Sequence, residues 1–386
     1  MQQIRDSICQ IVLFWCLATG IAPVSGQEKS RSHWDTELRL NQIQVIGTHN
    51  SYHLAPEPDL LKLIAAASER AALAIDYSHP TIKSQLSEIG IRQLELDVYA
   101  DPNGGLYSKP IGKSMLGPSS SDPRMDFAFD EVMSKPGMKI LHSPGFDFAT
   151  TVPTLVSALS QVKEWSDSNP GHLPILVLIE LKQDVTGLAG VKPIPFDSEL
   201  LDAVDREIRS VIPATTILAP DNIRGNYATL RDAVLEQGWP TLDKVRGKLV
   251  FALDNEGPVL EKYIAEHPVL EGRVMFGSVA ETHPAAAWMK INDPVRDFDR
   301  IRNMVEKGFL VRTRADAETK QAREKDTVQR DKALESGAQF ISTDYPTADL
   351  RFSDYSVRFA NGIVARMNPV SSTGNPEWDG VDLEAK

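Results

Sequence analysis

A (β/α)8 barrel of the TIM type, with a long insertion after its second strand, is the fold this sequence predicts, and three observations carry it. Eight short, apolar, β-branched runs recur between residues 43 and 342 without strict alternation, as expected of strands buried on both faces. Helix-period or loop segments separate them, and eight alternations of strand and helix favour a closed barrel over an open sheet. Neither a linker nor an internal repeat divides the 386 residues, 42% of which are hydrophobic, so one large core is expected.

In chain order, the first segment reads as a secretory signal over residues 1–26. Arg5 supplies a positive start, Ile8 to Ala22 is apolar, and Val24 and Gly26 offer small residues ahead of a cleavage before Gln27. The apolar stretch is short for a membrane span, so a secreted or periplasmic protein is expected. Both cysteines, Cys9 and Cys16, lie in this segment, and a mature chain without thiols has neither disulfides nor a cysteine metal site. Arg5 and Asp6 cancel, so the mature net charge stays at −12. That charge disfavours nonspecific binding to nucleic acid or to strongly anionic bilayers, while allowing carboxylates to gather round a cation.

The catalytic domain is expected over 27–367. Its strands are read at Ile43 to Ile46, Ile91 to Val98, Lys139 to Leu141, Ile175 to Leu181, Lys248 to Leu253, Arg273 to Phe276, Phe309 to Thr313 and Gln339 to Ser342. Helices are expected after Pro153, with Leu155, Leu159, Val162 and Trp165 on one stripe, and after the capping Asp197, with Leu200, Leu201, Val204, Ile208, Val211 and Ile212. A further helix from Val328 closes on Gly337. Residues 101–136, rich in Gly, Pro and Ser, exceed an ordinary connection and are read as a lid or substrate loop on the active-site face. The tail, 368–386, reads as irregular surface.

Chemistry gathers at the carboxyl ends of the first four runs. The first ends in His49-Asn50. The second carries Glu95 and Asp97, two apart and so on one side of the strand. The third ends at His142, and the fourth at Glu180 and Lys182. In a barrel these ends converge on one bowl. Three buried carboxylates together need a cation or several donors. With Asn50 they form an all-oxygen set suited to Ca²⁺ rather than to Zn²⁺. Two histidines from different strands can act as base and acid across a reacting centre. Singly, each residue has an ordinary structural explanation, such as a hydrogen-bonded histidine or a Glu180–Lys182 ion pair; the joint pattern points to a site.

At these residues the chain resembles the calcium-dependent phosphoinositide-specific phospholipases C, in particular their bacterial secreted branch. The similarity lies in "GTHNSY", "ELDVY", "LHSPG" and "IELK", and extends to "VRTRAD" and "ISTDYP". Related glycerophosphodiester phosphodiesterases usually open with His-Arg, so Asn50 discriminates. The resemblance implies that His49 is the general base, that His142 is the general acid, and that Asn50, Glu95, Asp97 and Glu180 hold Ca²⁺. It implies a phosphatidylinositol-type lipid or glycerophosphoinositol as substrate and a cyclic inositol phosphate as product. Contact with a membrane surface would be transient, since no appended targeting domain is visible and no obligate protein partner is evident.

Beyond the first four strands, Lys182, Arg312, Arg314 and Tyr345 are candidates to bind substrate. Against this, one of the arginines can instead pair with an internal acid such as Asp254 or Asp344, and Tyr345 can simply pack. His53 reads as peripheral, and His79, His172, His267 and His283 as surface residues. The Trp288-Met289 pair is read either as an interface contact or as packing. Two rival functions stand beside the main one: a glycerophosphodiester or sphingolipid phosphodiesterase of the same architecture, and a non-catalytic headgroup- or calcium-binding barrel.

Overall fold

In the computed structural model, residues 33–116, 122, 124–125, 127–184, 190–372 and 375–384 are described. The predicted signal segment lies outside them. Ten strands form the sheet: β1 (Ile43–Thr48), β2 (Gln93–Asp101), β3 (Gly137–Ile140), β4 (Ile175–Leu181), β5 (Leu249–Leu253), β6 (Met275–Gly277), β7 (Trp288–Lys290), β8 (Leu310–Arg314), β9 (Phe340–Thr343) and β10 (Ala365–Met367). Eight of them run parallel in the order β6-β5-β4-β2-β1-β9-β8-β7. A bridge from Ser278 to Trp288 links the two ends, so the barrel is nearly closed. Helices Leu155–Ser168 and Ser198–Val211 stand where periodicity placed them, capped by Thr154 and Asp197. No described helix is long and apolar enough to cross a membrane.

The structure corrects two strand assignments. The run before His142 is not a stave: β3 pairs antiparallel with the upper half of β2, Val98 opposite Ile140 and Asp101 opposite Gly137. The chain therefore leaves β2 above the rim, and β3 brings it back down, delivering His142 to the level where β2 carries Asp97. The missing stave is β7, containing the Trp288-Met289 pair. Both residues are buried in the core, so the pair has no free face for an interface.

Register then sets the site. Asp97 is the direct neighbour of Glu180, Ile179 of Leu253, and Lys290 of Arg312. β1 meets β2 at Gly47 and Gln93, where a Cβ on Gly47 would fall 2.1 Å from Gln93 Oε1; only glycine permits this approach. Below that point β10 takes the edge of β1.

The described part of the tail, 368–372 and 375–384, is docked at its end rather than superficial. At the floor of the barrel, buried Glu384 accepts from Arg92 at 2.6 and 3.2 Å and from the Leu173 amide at 3.0 Å. Arg92 also lies over Trp165. His79 and His172, expected at the surface, are buried as well. Glu384→Ala leaves the Arg92 guanidinium buried without its counter-charge. The expected result is a loss of about 3–5 kcal/mol in urea unfolding, with kcat/KM unchanged because the pair lies at the end of the barrel opposite the site. Wild-type stability in this variant would show that the tail is not anchored there.

Candidate active site

Turning out of β1, the backbone of Asn50 adopts φ 45°, a left-handed conformation that asparagine tolerates better than most residues. This turn sets His49 and Asn50 side by side on the rim. His49 Nδ1 lies 2.7 Å from Asp344 Oδ1, just past β9. A carboxylate only accepts, so Nδ1 carries the proton and Nε2 keeps its lone pair. That Nε2 is 3.6 Å from Glu95 Oε1. Burial and the nearby Arg314 charge lower the His49 pKa to about 4, against the opposing pull of Asp344. The imidazole is neutral at physiological pH.

His142 is held in a matching way. Its Nδ1 lies 2.7 Å from Asp147 Oδ2, and its side chain remains 31% exposed. Burial lowers its pKa, but the charge and hydrogen bond of Asp147, with help from Asp97, outweigh burial and raise it overall. The two imidazoles are thus pushed in opposite directions.

Between them stands a wall that sequence reasoning missed. His53 is fully buried rather than peripheral: Nδ1 donates to the Tyr77 carbonyl at 3.0 Å, and Nε2 lies 2.9 and 3.1 Å from the Asp147 oxygens. Asp147 therefore joins His53 to His142, and both rings hold its carboxyl well below the usual range despite burial. Tyr77 stacks beside His53 and accepts from Asn50 Nδ2 at 3.1 Å. An acid flanked by two phenylalanines in "GFDF" was the available sign, since a buried carboxylate requires partners.

Of the candidate carboxylates, Glu95 and Glu180 come together and Asp254 joins them, while Asp97 stands beside Glu180 on the neighbouring strand. Single oxygens of Glu95, Glu180 and Asp254 all lie within 4.8 Å of one another, Asp254 directly following β5. Asn50 Oδ1, both Asp97 oxygens and Asp254 Oδ1 are buried with no hydrogen-bond partner among the described residues. Orphaned oxygens in a cluster of acids are what a hard, oxygen-preferring cation would satisfy, so the residues fit Ca²⁺. Burial and neighbouring carboxylates raise the pKa of Glu95 and Glu180, opposed by Arg312 and Lys182 respectively. Lys290 pairs with Asp254 at 2.9 Å.

Two of the four predicted substrate contacts are corrected. Arg312 is only 1% exposed, and both its terminal nitrogens are engaged, bonding Glu95, Asn292 at 2.6 Å and Ser342 at 3.1 Å. It serves as an internal counter-charge and cannot reach a ligand in the bowl. Tyr345 is buried against Tyr77, Phe352 and Tyr355, so it packs. Arg314 donates to Asp344 at 3.1 Å and to the Asp316 carbonyl at 3.0 Å, which places it behind His49. Lys182 stays 26% exposed, 3.1 Å from Glu180 and 3.4 Å from Asp97, at the mouth of the cluster.

Comparison with known proteins agrees with this geometry. The family model for Ca²⁺-dependent phosphoinositide phospholipase C matches residues 38–369. Among solved structures, the chain is similar to a calcium-dependent phosphoinositol-specific phospholipase C from Pseudomonas sp. Its apo form is 16% identical with TM-score 0.52, covering 87% of this chain and 97% of that one. A myo-inositol complex is 18% identical with TM-score 0.51, covering 86% and 96%. The sequence matches no curated protein. Paired histidines, an all-oxygen cluster and a match across most of the chain converge on one conclusion: this protein belongs to the Ca²⁺-dependent phosphoinositide phospholipase C family.

Proposed function

We propose that the protein cleaves phosphatidylinositol-type lipids to diacylglycerol and a cyclic inositol phosphate, with His49 as general base and His142 as general acid. The observation that carries this reading is that two imidazoles stand beside the carboxylates, each held through Nδ1 at 2.7 Å by its own buried acid, Asp344 or Asp147; one pKa is lowered and the other raised, as an acceptor and a donor require. His49 Nε2 takes the proton of the inositol 2-hydroxyl as its oxygen bonds to phosphorus. The bond from phosphorus to the glycerol oxygen breaks, and His142 delivers its proton to that oxygen. Asp344 and Asp147 keep each ring in the required tautomer. Lys182, at the mouth, faces the phosphate oxygens. Asn50, Glu95, Asp97, Glu180 and Asp254 would hold calcium, which would supply acidification of the hydroxyl and positive charge against that building on the phosphoryl oxygens. The attacking group belongs to the substrate, so no serine or cysteine nucleophile is required. A Pseudomonas protein of the same fold in complex with myo-inositol supports an inositol headgroup.

Following the phosphorus products of phosphatidylinositol by ³¹P NMR tests this reading. A five-membered cyclic phosphate is expected first, and a calcium chelator should abolish its formation. Phosphatidic acid with free inositol from this lipid, or glycerol 3-phosphate with free inositol from glycerophosphoinositol, would instead identify a phosphodiesterase that cuts without the inositol 2-hydroxyl.

A further inference from the structure

A cavity of about 430 Å³ opens beside the catalytic bowl, between the helix Pro58–Ala67, the two short helices of the insertion (Ile111–Leu116 and Phe129–Met133) and the segment 146–149. Its walls include Leu60, Met125, Phe127, Phe129, Phe146 and Phe148. We propose that this cavity receives one acyl chain of the lipid being cleaved. The assignment rests on the reading of His142 as the acid.

Three observations support it. The first is position. Phe146 and Phe148 flank Asp147, the carboxylate bonded to His142 at 2.7 Å. If His142 protonates the departing glycerol oxygen, the diacylglycerol half of the substrate lies on this side of the bowl.

The second is independence from the barrel core. Leu60, Phe129 and Phe148 belong to a separate apolar cluster with Ile64, Tyr99 and Leu141, built by the insertion and the helix facing it. The cavity volume falls within the range of small-molecule pockets, which are mostly apolar.

The third is charge. Glu57, Asp122, Asp130 and Glu131 line the same cavity, with Lys113 as its basic residue. Lys113 is paired with Asp130, and Asp122 with Arg124. Glu131 is paired with Lys135, so the one base in the lining is committed and offers little to a second phosphate or a fatty-acid anion, which favours an uncharged esterified chain.

The rival occupant is a bilayer surface rather than a single chain, since Ile111 and Met115, on the helix that ends in Leu116, are exposed. A water-soluble substrate separates the two. Dihexanoyl-phosphatidylinositol, presented as monomers below its micelle concentration, is compared with glycerophosphoinositol, which lacks acyl chains, both with calcium-loaded full-length protein. Leu116→Trp fills the cavity from a partly buried wall, and Phe127→Glu charges it from another. Each is expected to lower kcat/KM on the monomeric lipid by about tenfold or more, with turnover of glycerophosphoinositol within about twofold of wild type.

Equal losses on both substrates, or wild-type turnover of the monomeric lipid by both variants, would overturn the assignment. Failure of the wild-type protein to turn over either substrate would overturn the reading of His142 on which it depends, and this assignment with it.

Discussion

Alanine at position 49 is expected to lower kcat by about 10²–10⁴-fold, the usual range for removal of a general base, while calcium affinity stays within a few-fold of wild type. His49 contributes nitrogen, not oxygen, and is anchored to Asp344 through Nδ1; its other nitrogen stands 3.6 Å from Glu95, beside the carboxylate cluster. Its removal deletes the proton acceptor and spares the ligands. Single-turnover kinetics and calorimetric calcium titration measure the two quantities separately. Retained turnover would refute the mechanism, and joint loss of calcium would place His49 among the ligands. The pH profile of the wild-type enzyme follows from the same pair. With its pKa near 4, His49 is already an acceptor through the neutral range. His142, whose pKa is raised above that of free imidazole chiefly by Asp147, holds its proton to higher pH than a free imidazole does. Activity is expected to decline as pH rises past the ordinary imidazole range.

Much of this site was legible because a barrel converts strand ends into neighbours. Glu95 and Asp97 had to share a side of β2, and Glu180 had to finish a stave of its own; that this stave lies directly beside β2, with Asp97 opposite Glu180, comes from the structure. Less legible was the route of the chain. A short apolar run before His142 reads the same whether it continues a barrel or folds back on β2, since both environments bury it on two faces. The three-residue β7 falls below the length at which a pattern can be recognised. Partner choice was hidden for a different reason. Arg312 and Arg314 sit two apart on one strand, and the sequence cannot tell which carboxylate each will meet. The structure gives Glu95 to one and Asp344 to the other. Asp254 was visible as an acid at a strand end, but its inclusion in the cluster depends on the stagger between β4 and β5.

Arg312→Met is expected to destabilise the calcium-free protein by about 3–5 kcal/mol, because it strips a buried carboxylate of its directly bonded counter-ion while preserving volume. Glu95 would remain among Asp97 and Asp254, whose charges already push its pKa up. Without Arg312 that pKa rises further, so the folded state binds a proton that the unfolded chain gives up near the ordinary carboxylate range. Stability of the variant should therefore fall as pH increases from that range towards the folded-state pKa. Calcium ought to repair much of the defect, since a cation that binds only the native state stabilises it by mass action. Freed of its guanidinium partner, Glu95 should also bind that cation more tightly. The test is thermal unfolding of wild type and variant in chelator and in excess calcium: the calcium-induced rise in Tm should be larger in the variant. Equal rises, or a variant as stable as wild type in chelator, would show that Arg312 is not the counter-charge of the empty cluster. A raised KM with unchanged stability would restore it to the substrate.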